Sequence, residues 1–397
     1  MRVLFFWQFF PPDEMGLALA SRGVALSKYL SRLGCEVLVF APDFSGESRR
    51  YDHGEVEVRR VETYDSARLR GGLIQALASV TGIQANLLSQ TRNVDPDIIV
   101  VSQPSYTLPT QALLIAKMLS IPCVLDMQDI FAQEVEFSPN RVRNAVKLLL
   151  EGWVLRNADI IVTVLPLMME MAVGRHRLNK SKFYVLYNGF DSESLPKPAP
   201  DVRRKDIDLL HIGAPRAYYD SLSLIDALAV IVESRPKTNL VFLGCDRNPY
   251  ELRVREKVES LGLDGNVVFE GLVLSRKRIA EWMIRSRMGV YTLYQGDSSR
   301  VLVGIKAFEY LATGLPIAHL GVRGGSMDTI IQKHEVGISA QSPSGFAEKV
   351  LSVVDDTELL ARYSRSASKA SSNYDWKRTI PAMYKNVLLR LYQKKRR

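Results

Sequence analysis

The opening forty residues constrain the fold more than any other stretch. Arg2 to Phe10 is an apolar run of strand length. The loop Pro11-Pro12-Asp13-Glu14-Met15-Gly16 follows, and then a helical pattern from about Leu17 to Leu33 whose apolar members are Val24, Leu26, Tyr29, Leu30 and Leu33. Gly34 stops this helix, and Glu36-Val37-Leu38-Val39-Phe40 is a second strand. Strand, loop, helix and strand in so short a span form a right-handed βαβ unit, the start of a parallel α/β domain.

The alternation continues. Val56 to Val61 and Asp97 to Val101 read as strands, and residues 68–92 and Leu108 to Leu119 as helices. Pro122 to Asp126 is a strand that runs out into Met127-Gln128-Asp129-Ile130-Phe131. A helix from Arg141 to Arg156 and a strand ending at Val162 follow. Ser192 to Asp206 is rich in proline and charge and reads as an interdomain linker. Beyond it the pattern restarts with a strand at Leu209 to Gly213, a loop at Ala214 to Ala217, a helix from Leu222 to Ser234, and strands at Asn239 to Gly244 and Val267 to Gly271. A chain of 397 residues, 47% hydrophobic, has the length and the apolar content for two such cores.

Lys and Arg total 52 against 43 Asp and Glu, a formal charge of +9. This excess favours an anionic partner: a phosphorylated small molecule, an anionic membrane surface or nucleic acid. The basic residues are scattered and no nucleic-acid module is present, which argues against the last. Cys35, Cys123 and Cys245 lie in or beside apolar runs without metal-ligand spacing, so buried thiols in a reducing compartment are expected. The apolar start breaks at Pro11-Pro12, too short for a signal peptide, and no run approaches the roughly 20 residues of a membrane span. The expectation is a soluble or peripheral cytoplasmic protein. No carboxylate–histidine cluster has metal spacing, and no G-x-G-x-x-G signals a dinucleotide cofactor.

The stretch Gly304 to Pro316, GIKAFEYLATGLP, has Ile305, Phe308, Leu311 and Ala312 on one helical face. Lys306 and Glu309, three apart, are expected close together on the helix surface. Gly314 ends the helix and Pro316 bars its continuation. A charged pair early in a helix suits a phosphate and a ribose together, and it equally suits an ordinary surface ion pair. The stretch resembles the "K-x-x-E-Y-L-A-x-G-x-P" helix of the retaining family-four glycosyltransferases. Further matches keep the family's order. The opening resembles "Y-F-P-P-x-x-G", with Gly16 as its glycine. Asp126 to Phe131 resembles "D-x-R-D-x-W", with Asp126 and Asp129 as its aspartates and Gln128 and Phe131 as departures. Tyr184 to Asp191 resembles "VIxNGVD", Glu270-Gly271-Leu272-Val273 the "F-x-G-x-V" turn, and Tyr374-Asp375-Trp376 the start of a closing helix.

The resemblance implies the GT-B fold, two Rossmann-like parallel α/β domains facing each other across a cleft. Residues 1–191 would be the acceptor-side domain, 192–206 the linker, 207–373 the nucleotide-sugar domain, and 374–397 a helix crossing back. It implies transfer of a sugar from a nucleotide-diphosphate donor, with retention, to a glycan or lipid-linked acceptor. In such enzymes basic side chains and helix N-termini stabilise the leaving diphosphate, so no metal is expected. Lys306 and Arg216 would hold phosphate, Glu309 the ribose and the Leu272 turn the base. Gly16 would let the backbone approach the donor, and Asp129 would face the acceptor. Two departures stand out. The family's usual basic positions read Ala214 and Asp220, leaving Arg216 as the nearest cation, and Val301 stands where many members have Glu. Asp126 also suits a turn cap, and a sugar-nucleotide epimerase or a non-catalytic sugar-nucleotide-binding subunit also suits the chain. Arg68 and Arg70, and Arg141, Arg143 and Lys147, mark segments that fit an anionic membrane or equally a solvated basic face.

Overall fold

The structure is a computed structural model that describes residues 1–11, 17–44, 50–63, 73–103, 107–130, 140–195 and 206–396. Two compact units are present: Met1–Tyr187 together with Trp376–Arg397, and Asn188–Asp375.

The first unit is built from β1 (Arg2–Phe6), α1 (Leu17–Arg32), β2 (Glu36–Pro42), β3 (Arg50–His53), β4 (Val56–Val61), α2 (Leu73–Val94), β5 (Ile98–Gln103), α3 (Thr107–Leu119), β6 (Cys123–Met127), α4 (Arg141–Asn157), β7 (Ile160–Thr163), α5 (Pro166–His176) and β8 (Phe183–Val185). Its sheet runs β3-β4-β2-β1-β5-β6-β7-β8. Every pairing is parallel except β3 with β4. Val3, Leu4, Phe5 and Phe6 of β1 are fully buried. Parallel strands are covered on both faces, which is why they appear in the sequence as unbroken apolar runs. The polar edge strand β3, RYDH, has no such run and was not read from the sequence.

The second unit contains β9 (Ile207–Ile212), α6 (Ser221–Ser234), β10 (Leu240–Cys245), α7 (Pro249–Ser260), β11 (Val267–Gly271), α8 (Arg276–Arg285), β12 (Ser286–Thr292), α9 (Ile305–Ala312), β13 (Ile317–Leu320), α10 (Ser326–His334), β14 (Gly337–Ala340), α11 (Pro343–Val354) and α12 (Thr357–Ser371). The all-parallel sheet runs β11-β10-β9-β12-β13-β14 around a core that includes Leu209, Leu228, Phe242, Val290 and Phe346. The chain goes outward from β9 to β11 and then returns to β12 on the other side of β9. The strand order therefore reverses between β9 and β12, and open parallel sheets bind ligands outside the carboxyl ends of the strands at such a point. Within this unit α9 stops where the sequence reading puts its end: Gly314, at φ +68°, takes the left-handed position after the C-cap Thr313.

The closing segment, α13 (Trp376–Met383), a π turn at Tyr384–Leu388 and α14 (Leu389–Lys395), belongs to the first unit, where α13 packs on α1. Among the described residues no helix is long and apolar enough to cross a membrane.

Candidate functional site

At the reversal point of the second sheet, Gly213 turns the chain out of β9 with φ +98°, a conformation that favours glycine. Two tyrosines then fix α9 beside this turn. The Tyr291 hydroxyl, from β12, accepts from the Gly304 backbone N–H at 2.8 Å and anchors the start of the helix. The Tyr310 hydroxyl, one helical turn past Lys306, donates to Leu210 O at 3.1 Å and accepts from the Ile212 N–H at 3.1 Å. The first turn of α9 is thereby held against the carboxyl end of β9.

Lys306 lies in that first turn and is only 7% exposed. Its ammonium donates to Ile212 O at 2.9 Å and to His211 Nε2 at 3.3 Å. It stands 3.5 Å from the Tyr219 ring centroid and 5.1 Å from that of Tyr291. No carboxylate meets it among the described residues. His211 Nδ1 lies 3.0 Å from Gly213 O, so we assign its proton to Nδ1, which leaves the Nε2 lone pair for Lys306. Burial, reinforced by the Lys306 charge, pushes His211 well below its ordinary value, which keeps the ring a neutral acceptor. Burial also pushes Lys306 well below the usual lysine range. Carbonyl and imidazole dipoles and two aromatic faces support this cation, and among the described residues no anion neutralises it.

Glu309 departs from the expected surface pair with Lys306. Both side chains are buried, because α9 is packed against its own sheet, and they turn to different partners. Glu309 Oε1 accepts from Nη1 of Arg276, in the first turn of α8. Burial raises the Glu309 carboxyl above its ordinary range, and the Arg276 guanidinium opposes that rise. Arg276 was not singled out from the sequence: 33 residues separate the partners, and no local spacing signals the contact.

Arg216, the expected phosphate cation, forms a two-point ion pair with Asp246, with Nη1 to Oδ1 at 3.1 Å. The hydrogen bond from Arg216 holds Asp246 well below the usual carboxylate range. Its charge is therefore already compensated. Tyr219, three residues further on, is what this loop presents to Lys306. Leu272 follows β11 directly and is 69% exposed, four residues before Arg276. Val301 is buried at the end of a short 3-10 helix, Asp297–Val301. The structure thus joins Lys306 to the 213–219 loop and Glu309 to the start of α8.

In the first unit, Asp129 is half-buried just past β6. Asp126 is fully buried and is held by Arg22 of α1, with Nη2 to Oδ1 at 2.7 Å and Nε to Oδ2 at 3.0 Å; among the described residues it caps no turn. Gln128 Nε2 donates to the same carboxylate at 3.0 Å, and Arg22 also donates to Tyr187 O at 3.1 Å. Gly16, Phe131, Arg68, Arg70 and most of the expected linker lie outside the described residues.

Residues 20–189 match the Glycosyl transferase 4-like domain family, and residues 206–356 match the Glycosyl transferases group 1 family. The chain belongs to the GT-B glycosyltransferases. This glycosyltransferase is 23% identical over 312 residues to glycogen synthase of Mycobacterium tuberculosis, covering 76% of this chain and 70% of the relative. Its fold is similar to that of sucrose-phosphate synthase from Thermosynechococcus elongatus, with a TM-score of 0.77, 14% identity and 99% of each chain covered. It is also similar to that of HepE from Anabaena, solved with UDP-glucose, with a TM-score of 0.71 and 16% identity over 98% of this chain and 100% of that one.

Proposed function

We propose that this glycosyltransferase moves a sugar from a nucleotide-diphosphate donor to a glycan or lipid-linked acceptor, with retention at the anomeric carbon. The observation that carries the reading is the buried Lys306 ammonium, without a carboxylate partner among the described residues, at the reversal point of a parallel sheet. Breaking the sugar–phosphate bond puts negative charge on a diphosphate oxygen. A cation fixed in advance lowers the cost of that charge, because no solvent has to reorganise around it. Lys306 supplies the cation, and the start of α9 adds the positive end of its helix dipole. Glu309, one turn on, accepts from the donor ribose. Arg216 joins the outer phosphate oxygens by exchanging Asp246 for them. The Leu272 turn lies along the base, Gly16 lets the backbone approach the diphosphate, and Asp129 serves the acceptor. With these cations in place the reaction needs no divalent metal, and activity is expected to persist in chelator. Complexes of similar proteins support the donor class, since HepE was solved with UDP-glucose.

A peripheral position at the cytoplasmic face of a membrane is part of the same proposal. Along α4, Val142, Val146 and Leu149 are 76%, 58% and 75% exposed at successive helical turns, with Arg141 exposed beside them. Exposed apolar residues with basic neighbours suit the headgroup region of an anionic leaflet.

The test is incubation of the full chain with UDP-, GDP- and ADP-sugars, with and without glycan and lipid-linked acceptors. Mass spectrometry detects the product and NMR reads its anomeric configuration. A retained glycoside formed only with acceptor present is expected. An inverted product refutes retention, and conversion of the sugar nucleotide alone points to an epimerase.

A further inference from the structure

Arg276 is a cation where its own helix does not favour one. Arg276, Lys277 and Arg278 fill the first turn of α8, and no acid accompanies them. The positive end of the helix dipole disfavours that arrangement. Outside the helix, the Glu309 carboxylate compensates the Arg276 charge. The two side chains differ sharply in exposure: Glu309 is buried, whereas Arg276 is one-third exposed and reaches inward from the surface.

We propose that Arg276 is the positioning residue of the donor site, holding Glu309 ionised and correctly aimed for the ribose hydroxyls. This inference rests on the reading of Glu309 as the ribose acceptor. A buried carboxylate that must accept hydrogen bonds from a sugar has to keep its charge, and an isolated one would take up a proton. Arg276 supplies the opposing charge by binding Oε1. Oε2 carries no hydrogen bond among the described residues, so one oxygen is held while the other remains for the ligand. The neighbours of Glu309 leave this role to Arg276. Lys306 directs its ammonium to Ile212 O and His211, and Tyr310 is committed to β9. The packed helix α12 presents Ser364 and Ser368 at Gly314, where no charge is added.

A donor would then find the carboxylate ready and would not displace the arginine. The guanidinium has five donors in a fixed fork, so it can keep Oε1 while the ribose takes Oε2. Lysine, a compact point charge, would preserve the ionisation and lose the aim.

The experiment is calorimetric titration of the full chain with UDP, GDP and ADP, followed through acid pH. Inorganic pyrophosphate serves as the ribose-free control, and unfolding temperatures check each variant's fold. Arg276→Gln is expected to weaken binding of the preferred nucleotide at least tenfold. It should also move the acid loss of binding upward by about 1–3 pH units, the scale of shift an adjacent opposite charge produces. Pyrophosphate binding should be unchanged. Arg276→Lys should restore the pH profile more fully than the affinity. If Arg276→Gln binds nucleotide as tightly as or more tightly than the wild type with the same pH profile, while Glu309→Ala has lost binding, the positioning role is overturned and the ribose reading survives. If Glu309→Ala itself binds normally, the ribose reading fails first.

Discussion

Lys306 and His211 meet at 3.3 Å, with the ammonium donating to a neutral imidazole. Neither residue relieves the other's burial, so among the described residues the pair amounts to a buried positive charge without a compensating anion. Such a charge costs stability until an anion arrives.

Removing the charge is therefore expected to stabilise the fold. Lys306→Met should raise the unfolding free energy by about 1–4 kcal/mol near neutral pH while weakening donor binding. The pH dependence follows from linkage. The folded-state value of Lys306 is depressed below 10.5, so between the two values the unfolded chain binds more protons. Wild-type stability should rise with pH through that window, and Lys306→Met should lack this rise. Urea titrations across alkaline pH measure both.

The same depressed value controls ligand binding. A diphosphate favours the protonated ammonium, so its binding draws a proton onto Lys306. Affinity should fall as pH rises through the free enzyme's depressed value. At a pH above that value, calorimetry in buffers of different ionisation enthalpy should register proton uptake, and zero uptake there would count against Lys306 as the phosphate cation.

The Arg22–Asp126 pair makes a different prediction. Both side chains are buried, and removing one leaves the other charge stranded. Asp126→Ala is expected to cost about 3–5 kcal/mol in urea unfolding. The double variant Arg22→Met, Asp126→Leu should lose much less, because neither charge remains.

These residues show how far the sequence can be read. Periodicity revealed β1, α1 and β2, because a buried parallel strand and an amphipathic helix each impose a local pattern. Gly314 marked the end of α9 because a left-handed C′ position favours glycine. The ion pairs were not legible. Arg22 lies 104 residues from Asp126 and Arg276 lies 33 from Glu309, so each contact depends on how separate elements pack. Lys306 looked like a surface residue because its spacing from Glu309 suits a surface pair, and only the tertiary packing of α9 buries it.

Exposed apolar positions on α4 supply a membrane prediction. Wild-type protein should co-sediment with phosphatidylserine vesicles at low salt and be released as salt screens the basic residues. Replacing Val142, Val146 and Leu149 together by serine should abolish the binding without lowering the unfolding temperature. Sedimentation of the triple variant at wild-type levels would remove α4 from the contact.

The most direct measurement is calorimetric titration of Glu309→Ala with the nucleotide sugar that binds the wild type. If α9 carries the donor site, affinity should fall by an order of magnitude or more, about 1.4 kcal/mol for each tenfold loss, with the unfolding temperature preserved. Wild-type affinity and turnover in Glu309→Ala would contradict a donor site built on Lys306 and Glu309.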